Sequence, residues 1–298
     1  MAAVRRRRTS APLLFLALVL AAPAARAQDK GGTELPIPTP PEQVPPELPP
    51  DLWMDQMMRR NWELGPARPF AAVTIDLGYL YLRPRLSLGY GRPFTQWVGV
   101  DLNPLIAGNY IGFYGGVRAE IPHLNWRAGV RTIASYVRTF LDRMDNYGHV
   151  EFDAGNNNKA IEATIETELE GSLPAGPGNF IGLASVSYVT NVQAGKNVFE
   201  ESLRVIVEPP WVVRARGGYL LRWGARSQHS IGLVGEVFDI PARSDGIIVR
   251  LGLVVRVVLS RRVEVRGSFV PTIVSPDTIG LAGSDFTELG LRYRWASE

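Results

Sequence analysis

Cysteine is absent from this chain of 298 residues. Its absence excludes disulfide bonds, thiolate metal sites, a cysteine nucleophile and a lipid anchor on an N-terminal cysteine. The chain also lacks any stretch of the ~18 apolar residues that would indicate a transmembrane helix. Attachment to a membrane would therefore have to come from another kind of fold.

Histidine is scarce, with three in the chain. His229 and Ser230 are neighbours, so in a strand they point to opposite faces and cannot act as a hydrolase pair. His149, Glu151 and Asp153 alternate, so on a strand they would share one face and form the best acid–base or metal-binding candidate. We interpret these three residues instead as a solvated strand end under an outer loop. The sequence predicts no enzyme activity, no catalytic residue, no metal site and no cofactor.

The positive charge of the chain is concentrated in its first residues. Residues 1–27 combine a basic stretch, an apolar run at 13–20 and a small-residue cleavage site before Gln28, which are the three parts of a secretory signal peptide. Five arginines would leave with this segment, so the formal net charge of +3 becomes −2, from 27 basic and 29 acidic residues. The sequence therefore predicts export and no nucleic-acid partner.

Residues 28–68 have the composition of a linker. Eight prolines in residues 36–50 favour an extended polyproline conformation and oppose a packed core. Asp51 is placed to cap a short helix over residues 51–64. We interpret residues 28–68 as a proline-rich periplasmic linker, with periplasmic or cell-wall contact as the alternative role.

The rest of the chain has the alternation of two-faced strands, most clearly in residues 211–223. Its odd positions are apolar or aromatic, and Arg214, Arg216 and Arg222 lie on the other face. The same pattern recurs at 70–82, 110–121, 126–137, 161–172, 247–259, 263–269 and 289–295. A transmembrane barrel places such apolar faces against lipid and the charges in its lumen. We predict an all-β fold, an antiparallel transmembrane β-barrel of about twelve strands over residues 69–298, with ten to fourteen strands compatible.

This interpretation assigns positions to two groups of side chains. The predicted lumen-facing charges are Arg214, Arg216, Arg222, Arg250, Arg256, Arg266, Arg292, Arg294, Glu162, Glu166, Glu168 and Glu170. The predicted aromatic girdle at the two membrane interfaces comprises Trp126, Tyr136, Trp211, Trp223 and Trp295. The longer connections at 141–159, 192–200 and 271–285 are predicted to be outer loops.

The last strand carries a resemblance to a known class. Residues 289–295, Leu-Gly-Leu-Arg-Tyr-Arg-Trp, alternate apolar and charged residues and end in an aromatic, although three further residues follow. They resemble the C-terminal signal that the barrel-assembly machinery reads in bacterial outer-membrane β-barrels. The resemblance implies location in the outer membrane of a Gram-negative bacterium. It also implies contact with outer-membrane lipid and lipopolysaccharide and assembly by that machinery.

The predicted function is passive: a small channel for polar or charged solutes, or a structural barrel with an ion-paired, filled lumen. A barrel-embedded hydrolase is one alternative. The other is a cell-envelope interaction protein that acts through the proline-rich tail.

Overall fold

The computed structural model describes residues 66–137, 140–154, 160–224, 227–286 and 289–297. The predicted signal peptide and nearly all of the proline-rich segment lie outside these residues and stay predictions.

Twelve of the sixteen strands in the described residues form one closed antiparallel barrel. The barrel strands are β1 (Arg68–Gly78), β2 (Tyr81–Arg92), β3 (Gln96–Ala107), β4 (Tyr110–Ile121), β5 (Leu124–Ser135), β7 (Ala160–Ala175), β8 (Gly178–Thr190), β11 (Trp211–Trp223), β12 (His229–Asp239), β13 (Ile247–Val258), β14 (Val263–Phe269) and β16 (Gly290–Ala296). The predicted fold class and strand number are confirmed.

The barrel closes where its first and last strands pair. β1 pairs with β2 on one side and with β16 on the other, in a register that sets Val73 opposite Trp295 and Asp76 opposite Arg292. Closure leaves no free edge strand, so the backbone groups of the ladder are satisfied within the sheet. Among the described residues, no helix is long and apolar enough to cross a membrane.

Most predicted strands lie at their expected positions, and β11 has the predicted bounds. The prediction of one strand over residues 70–82 was wrong. β1 ends at Gly78, and β2 begins at Tyr81 after a two-residue turn. The error arose because the apolar pattern of β1 continues through the turn. Tyr79 and Leu80 lie in the turn itself, and both are exposed.

The two ends of the barrel differ in the length of their connections. Both described ends of the chain lie at one end, together with short turns such as 93–95, 122–123 and 176–177. The opposite end carries the long connections 136–159, 191–210 and 270–289, which include the three predicted outer loops. The shorter segment 240–246 also lies there.

These long connections fold over their end of the barrel, and we call residues 140–154, 191–210, 240–246 and 270–286 the loop cap. The loop cap contains the strands β6 (Leu141–Asp142), β9 (Lys196–Glu200), β10 (Val205–Val207) and β15 (Thr272–Val274), the helix α1 (His149–Ala154) and a 3-10 turn at Gly280–Gly283. β6, β9 and β10 form a small sheet of their own.

Two apolar clusters hold the loop cap. One joins loop residues such as Val205 and Val207 to the inward faces of Val212, Phe238 and Ile248 in the barrel wall. The other lies within the loops and is formed by Leu141, Tyr147, Phe152, Phe199, Ile206 and Ile279. The loop cap therefore has a hydrophobic core, which a set of independent surface loops would not have.

The interpretation of His149, Glu151 and Asp153 as a strand end was wrong. All three lie in α1, where residues two apart point to nearly opposite sides of the helix. They are exposed, and Glu151 accepts a hydrogen bond from the backbone of Gly148 at 2.9 Å. The geometry that made them the best acid–base candidate is absent.

Candidate functional site

A water-accessible cavity of about 900 Å³ occupies the barrel interior. Its lining extends from Phe94 and Gln228, near the end where the short turns lie, to Ser202 and Leu203, on the side of the loop cap that faces the barrel interior. The cavity thus runs along much of the barrel, and the loop cap bounds it at one end.

Arginine dominates the lining of this cavity. Among the described residues, fourteen arginines and five acidic residues line it. The arginines are Arg83, Arg85, Arg118, Arg127, Arg131, Arg204, Arg214, Arg216, Arg222, Arg250, Arg256, Arg266, Arg292 and Arg294. All eight arginines of the sequence-based assignment are in this set.

The four predicted glutamates divide into two groups. Glu166, Glu168 and Glu170 line the cavity. Glu162, nearer the loop cap, is 3% exposed and outside the lining, and neither of its carboxylate oxygens has a hydrogen-bond partner among the described residues. It lies within electrostatic reach of Arg131, Glu200 and Glu201.

Six lining arginines are absent from the sequence-based assignment. Arg118, Arg127 and Arg131 lie on the charged faces of the predicted strands 110–121 and 126–137, whereas sequence reasoning missed Arg83, Arg85 and Arg204 altogether. Arg83 and Arg85 were overlooked because the predicted strand ended at residue 82, which left them in a supposed turn. The available signal was their alternation with the outward-facing Leu82 and Leu86 of β2. Arg204 lies in a loop and carries no periodic signal.

One ion-pair network is centred on Glu236 of β12. This carboxylate is fully buried and pairs with Arg214 of β11 and Arg250 of β13, the latter at 3.1 Å. Arg214 and Arg250 both lie over the ring of Phe238, at 5.7 and 4.6 Å from its centroid. The two arginines compensate the negative charge of the buried carboxylate, and the carboxylate in turn fixes the positions of the arginines on the wall.

A second network surrounds Glu264 of β14. Arg256 and Arg266 pair with it at 2.9 and 2.7 Å, and Arg294 approaches to 3.4 Å. Beside it, Asp76 of β1 accepts two hydrogen bonds from Arg292. Positive side chains therefore outnumber carboxylates on this part of the wall.

A third network lies on β5 and β7. Arg127 pairs with Glu168 at 2.9 Å, and Arg131 pairs with Glu166 at 3.0 Å. In the ring of twelve strands β7 lies six positions from β16, so this acidic strand faces the arginines of β16 across the lumen. The charges across the lumen are thus unevenly distributed.

Two glycines permit the local packing of this wall. Gly116 of β4 and Gly129 of β5 are opposite each other in the sheet. A Cβ added to Gly129 would lie 2.8 Å from the ring of Tyr114, which covers both glycines. Arg127 lies over the same ring at 5.7 Å. The glycine pair therefore allows Tyr114 to lie flat along the wall and support Arg127.

The tip of the 191–210 connection is held to the barrel wall by polar contacts. Glu200, which is completely buried, pairs with Arg131 of β5 at 3.2 Å. Arg250 of β13 donates to the backbone carbonyls of Leu203 and Arg204 at 2.9 and 2.8 Å. Strands on different sides of the lumen therefore hold one loop tip between them.

Arg243, from the short 240–246 connection, joins the remaining parts of the loop cap. It donates to Asp277, to the carbonyl of Asp145 at 2.8 Å and to the carbonyl of Ile206 at 3.3 Å. Burial opposes its charge, but the hydrogen bonds and attraction of Asp277 outweigh this effect and raise the pKa of Arg243. Each long connection of the loop cap thus contacts this one side chain.

The predicted girdle residues are on the outer surface at two levels. Trp126, Trp223 and Trp295 lie toward the short-turn end, whereas Tyr136 and Trp211 lie at the loop end. Trp211 and Trp223 are separated by about 40 Å along β11, or roughly 30 Å across a membrane at the usual strand tilt. The outward residues between these levels are largely apolar.

Within the described part of the chain, no group of three or more histidine, cysteine, aspartate or glutamate side chains is arranged to hold a metal ion.

The protein is thus a closed twelve-stranded antiparallel barrel with an apolar outer surface and a polar lumen. Its fold is that of the bacterial outer-membrane β-barrel class. No family model matches the chain, and no curated protein matches it. Among solved structures, the chain is similar to the NanC porin, with a TM-score of 0.35 and 10% sequence identity over 76% of this chain and 97% of that chain.

Proposed function

We propose that the protein is an outer-membrane channel for small anionic solutes. The observation that carries this proposal is the arginine-lined cavity of about 900 Å³. Guanidinium groups are permanently charged and bind carboxylate and phosphate groups through paired hydrogen bonds. A row of them along a water-filled lumen attracts anions and repels cations.

The buried carboxylates reduce this preference without abolishing it. Asp76, Asp101, Glu236 and Glu264 are each 6% exposed or less and lie behind the arginines that they hold. Among the described residues that line the cavity, arginines outnumber acidic residues by fourteen to five. An entering solute therefore meets mostly positive charge.

The loop cap gives this channel a regulated outer mouth. Its tip, residues 200–204, lies across the loop end of the lumen and is pinned from β5 and β13. We infer that passage of a solute through this end requires the tip to move. The structure with the tip held by β5 and β13 is therefore the low-conductance form of the channel.

Bilayer recording of the full mature chain tests the channel. Under a salt gradient, the reversal potential is expected to show chloride permeating better than potassium, and Arg222→Gln is expected to reduce that preference. Arg222 is a suitable position because, among the described residues, no carboxylate loses an ion-pair partner when it is substituted. A barrel that inserts but stays silent even when the loop cap is loosened would overturn the channel and favour the structural barrel.

The location and partners follow from the same proposal. The barrel sits in the outer membrane of a Gram-negative bacterium, in contact with lipid and lipopolysaccharide and inserted by the barrel-assembly machinery. The short-turn end and residues 28–68 face the periplasm. Deletion of residues 28–50 separates their role from that of the barrel, since conductance should persist if these residues serve only as linker or cell-wall contact.

A further inference from the structure

We infer that Arg83 and Arg85 of β2 form a binding site for an oxyanion group, a carboxylate or phosphate, on a small solute in the lumen. The inference rests on the proposed function for the route by which the solute arrives. It goes beyond a diffuse positive field because it assigns a saturable site to two residues.

Neither of these two arginines pairs with a carboxylate among the described residues. Among the described residues, Arg85 makes no hydrogen bond or ion pair, and the buried Nε of Arg83 has no acceptor. The guanidinium of Arg83 lies over the ring of Tyr81, at 5.4 Å from its centroid. A buried donor such as the Nε of Arg83 is unfavourable without an acceptor, and both side chains line the cavity, so an anion that supplies acceptors is stabilised here.

The carboxylates nearest to the two arginines are already paired with other side chains. Asp76 is directly opposite Arg83 in the sheet but accepts both of its hydrogen bonds from Arg292. Asp101 accepts from Ser87 at 2.5 Å and pairs with Arg118 at 2.8 Å. The wall around the two arginines therefore keeps an excess of positive charge.

The backbone holds the two arginines in position before any anion binds. Arg83 and Arg85 are two residues apart on one strand, so they share a face at a spacing of roughly 6.5 Å. Pro84 lies between them and fixes the backbone, because its ring restricts φ. With its amide turned so that the nitrogen rather than the oxygen faces these groups, Asn103 would donate to the carbonyls of Pro84 and Pro104 at 3.0 and 3.1 Å. Both arginines are also held from one side, because β2 stays paired with β1 at Arg83 and Arg85, although its pairing with β3 is interrupted over residues 83–85.

Titration calorimetry of the purified full chain in detergent tests the site. Inorganic phosphate and succinate are the two probes, at constant chloride concentration. Wild type is expected to bind at least one of them saturably, and the response to each probe shows whether the site prefers phosphate or carboxylate. Arg83→Gln with Arg85→Gln is expected to weaken binding about ten-fold or more, because two charge-assisted contacts are lost.

The matched control is Arg216→Gln with Arg222→Gln, which removes two other arginines from the same cavity, one of them already paired with Asp285 at 3.4 Å. This control should lower anion selectivity in bilayers but change the affinity for the probe less than three-fold. Equal loss in both double variants, or no saturable binding by wild type, would overturn the site. Arg85→Lys keeps the charge but loses the planar pair of donors, so an intermediate affinity is expected even if the double variant folds poorly.

Calorimetry does not depend on conductance, so the two proposals can fail separately. Saturable binding by a barrel that does not conduct would contradict the proposed channel function and support the proposed binding site. Anion-selective conductance without saturable binding would support the proposed channel function and contradict the proposed binding site.

Discussion

Arg243 and Asp277 are paired through both guanidinium nitrogens and both carboxylate oxygens, at 2.7 and 2.8 Å, although 34 residues separate them. Both side chains are 1% exposed. Asp277 also accepts from the backbone of Tyr147 at 3.1 Å, and burial raises the pKa of the Tyr147 phenol, which keeps it a neutral donor and acceptor. One buried pair therefore links the four connections of the loop cap.

Removal of this pair should loosen the loop cap without unfolding the barrel. Arg243→Met leaves the Asp277 carboxylate buried and uncompensated, a change that typically costs about 3–5 kcal/mol. Hydrogen exchange should accelerate in residues 140–154 and 196–207, while β1–β4 stay protected and the protein stays heat-modifiable on gels. Bilayer conductance should rise, since the outer mouth is then held less firmly.

Arg143→Ala is the matched control for this substitution. Arg143 belongs to the same loop cap and pairs with Glu208, but its side chain is 62% exposed. An exposed pair contributes about 0–1 kcal/mol, so exchange and conductance should stay near wild type. Equal effects of the two substitutions would show that the Arg243 pair does not hold the loop cap together.

The anchor of the loop tip gives a second prediction. Glu200 pairs with Arg131 and accepts from the backbone of Leu203 at 2.5 Å and from Ser202. Glu200→Gln removes the charge that fixes Arg131 and the tip, so the channel should open more often or conduct more in single-channel recordings. The outer surface and the barrel ladder are untouched by this change.

Gln193→Ala in the same connection controls for substitution of the loop itself. Gln193 is exposed, and its backbone rather than its side chain makes the local turn contact. Its recordings should match those of wild type. Unchanged gating in Glu200→Gln would mean that the contacts of Arg250 with the tip suffice to close the mouth.

The barrel was predictable because its physical signal is local. In β11, alternation alone separates Trp211 and Trp223 on the outer face from Arg214 and Arg216 in the lumen, and the structure places them so. One face of each strand contacts the apolar surroundings of the barrel and the other face contacts the polar lumen. This difference imposes a period of two along the whole strand. Such a pattern can be read from one segment without knowledge of its neighbours.

The loop cap and the ion-pair networks were not predictable in the same way. Glu236 meets Arg214 and Arg250 only because β11, β12 and β13 are adjacent in a particular register. Arg243 contacts residues up to 98 positions away, and no local periodicity marks it. Non-local contacts of this kind depend on how the loops pack, which the sequence pattern of any one loop does not encode.

The packing of Tyr114 against the wall gives a third prediction. Gly129→Ala places a Cβ within 2.5–2.8 Å of two backbone atoms and the Tyr114 ring, so the ring and the sheet must shift. We expect destabilisation of about 1–3 kcal/mol in denaturant unfolding, together with displacement of Arg127. Gly108→Ala is the control, because a Cβ there meets no atom within 4 Å. Its stability should be equal or slightly higher, and similar losses in both variants would contradict the packing argument.

The outer face of the barrel gives the last prediction, which tests whether this face contacts lipid. Leu253 lies near the middle of β13 and is 54% exposed, next to the similarly exposed Leu233 of β12. Leu253→Arg should destabilise the barrel by about 2–4 kcal/mol in lipid vesicles, because an arginine at the bilayer midplane loses its hydration.

Ile247→Arg provides the comparison at another depth. Ile247 begins the same strand at the loop end, is 53% exposed and faces the same side. An arginine there reaches the interface, so the cost should fall to about 0–1 kcal/mol. Denaturant unfolding in vesicles measures both variants. Equal costs would show that β13 does not span a bilayer, since outside a membrane the two exposed positions differ little in solvation.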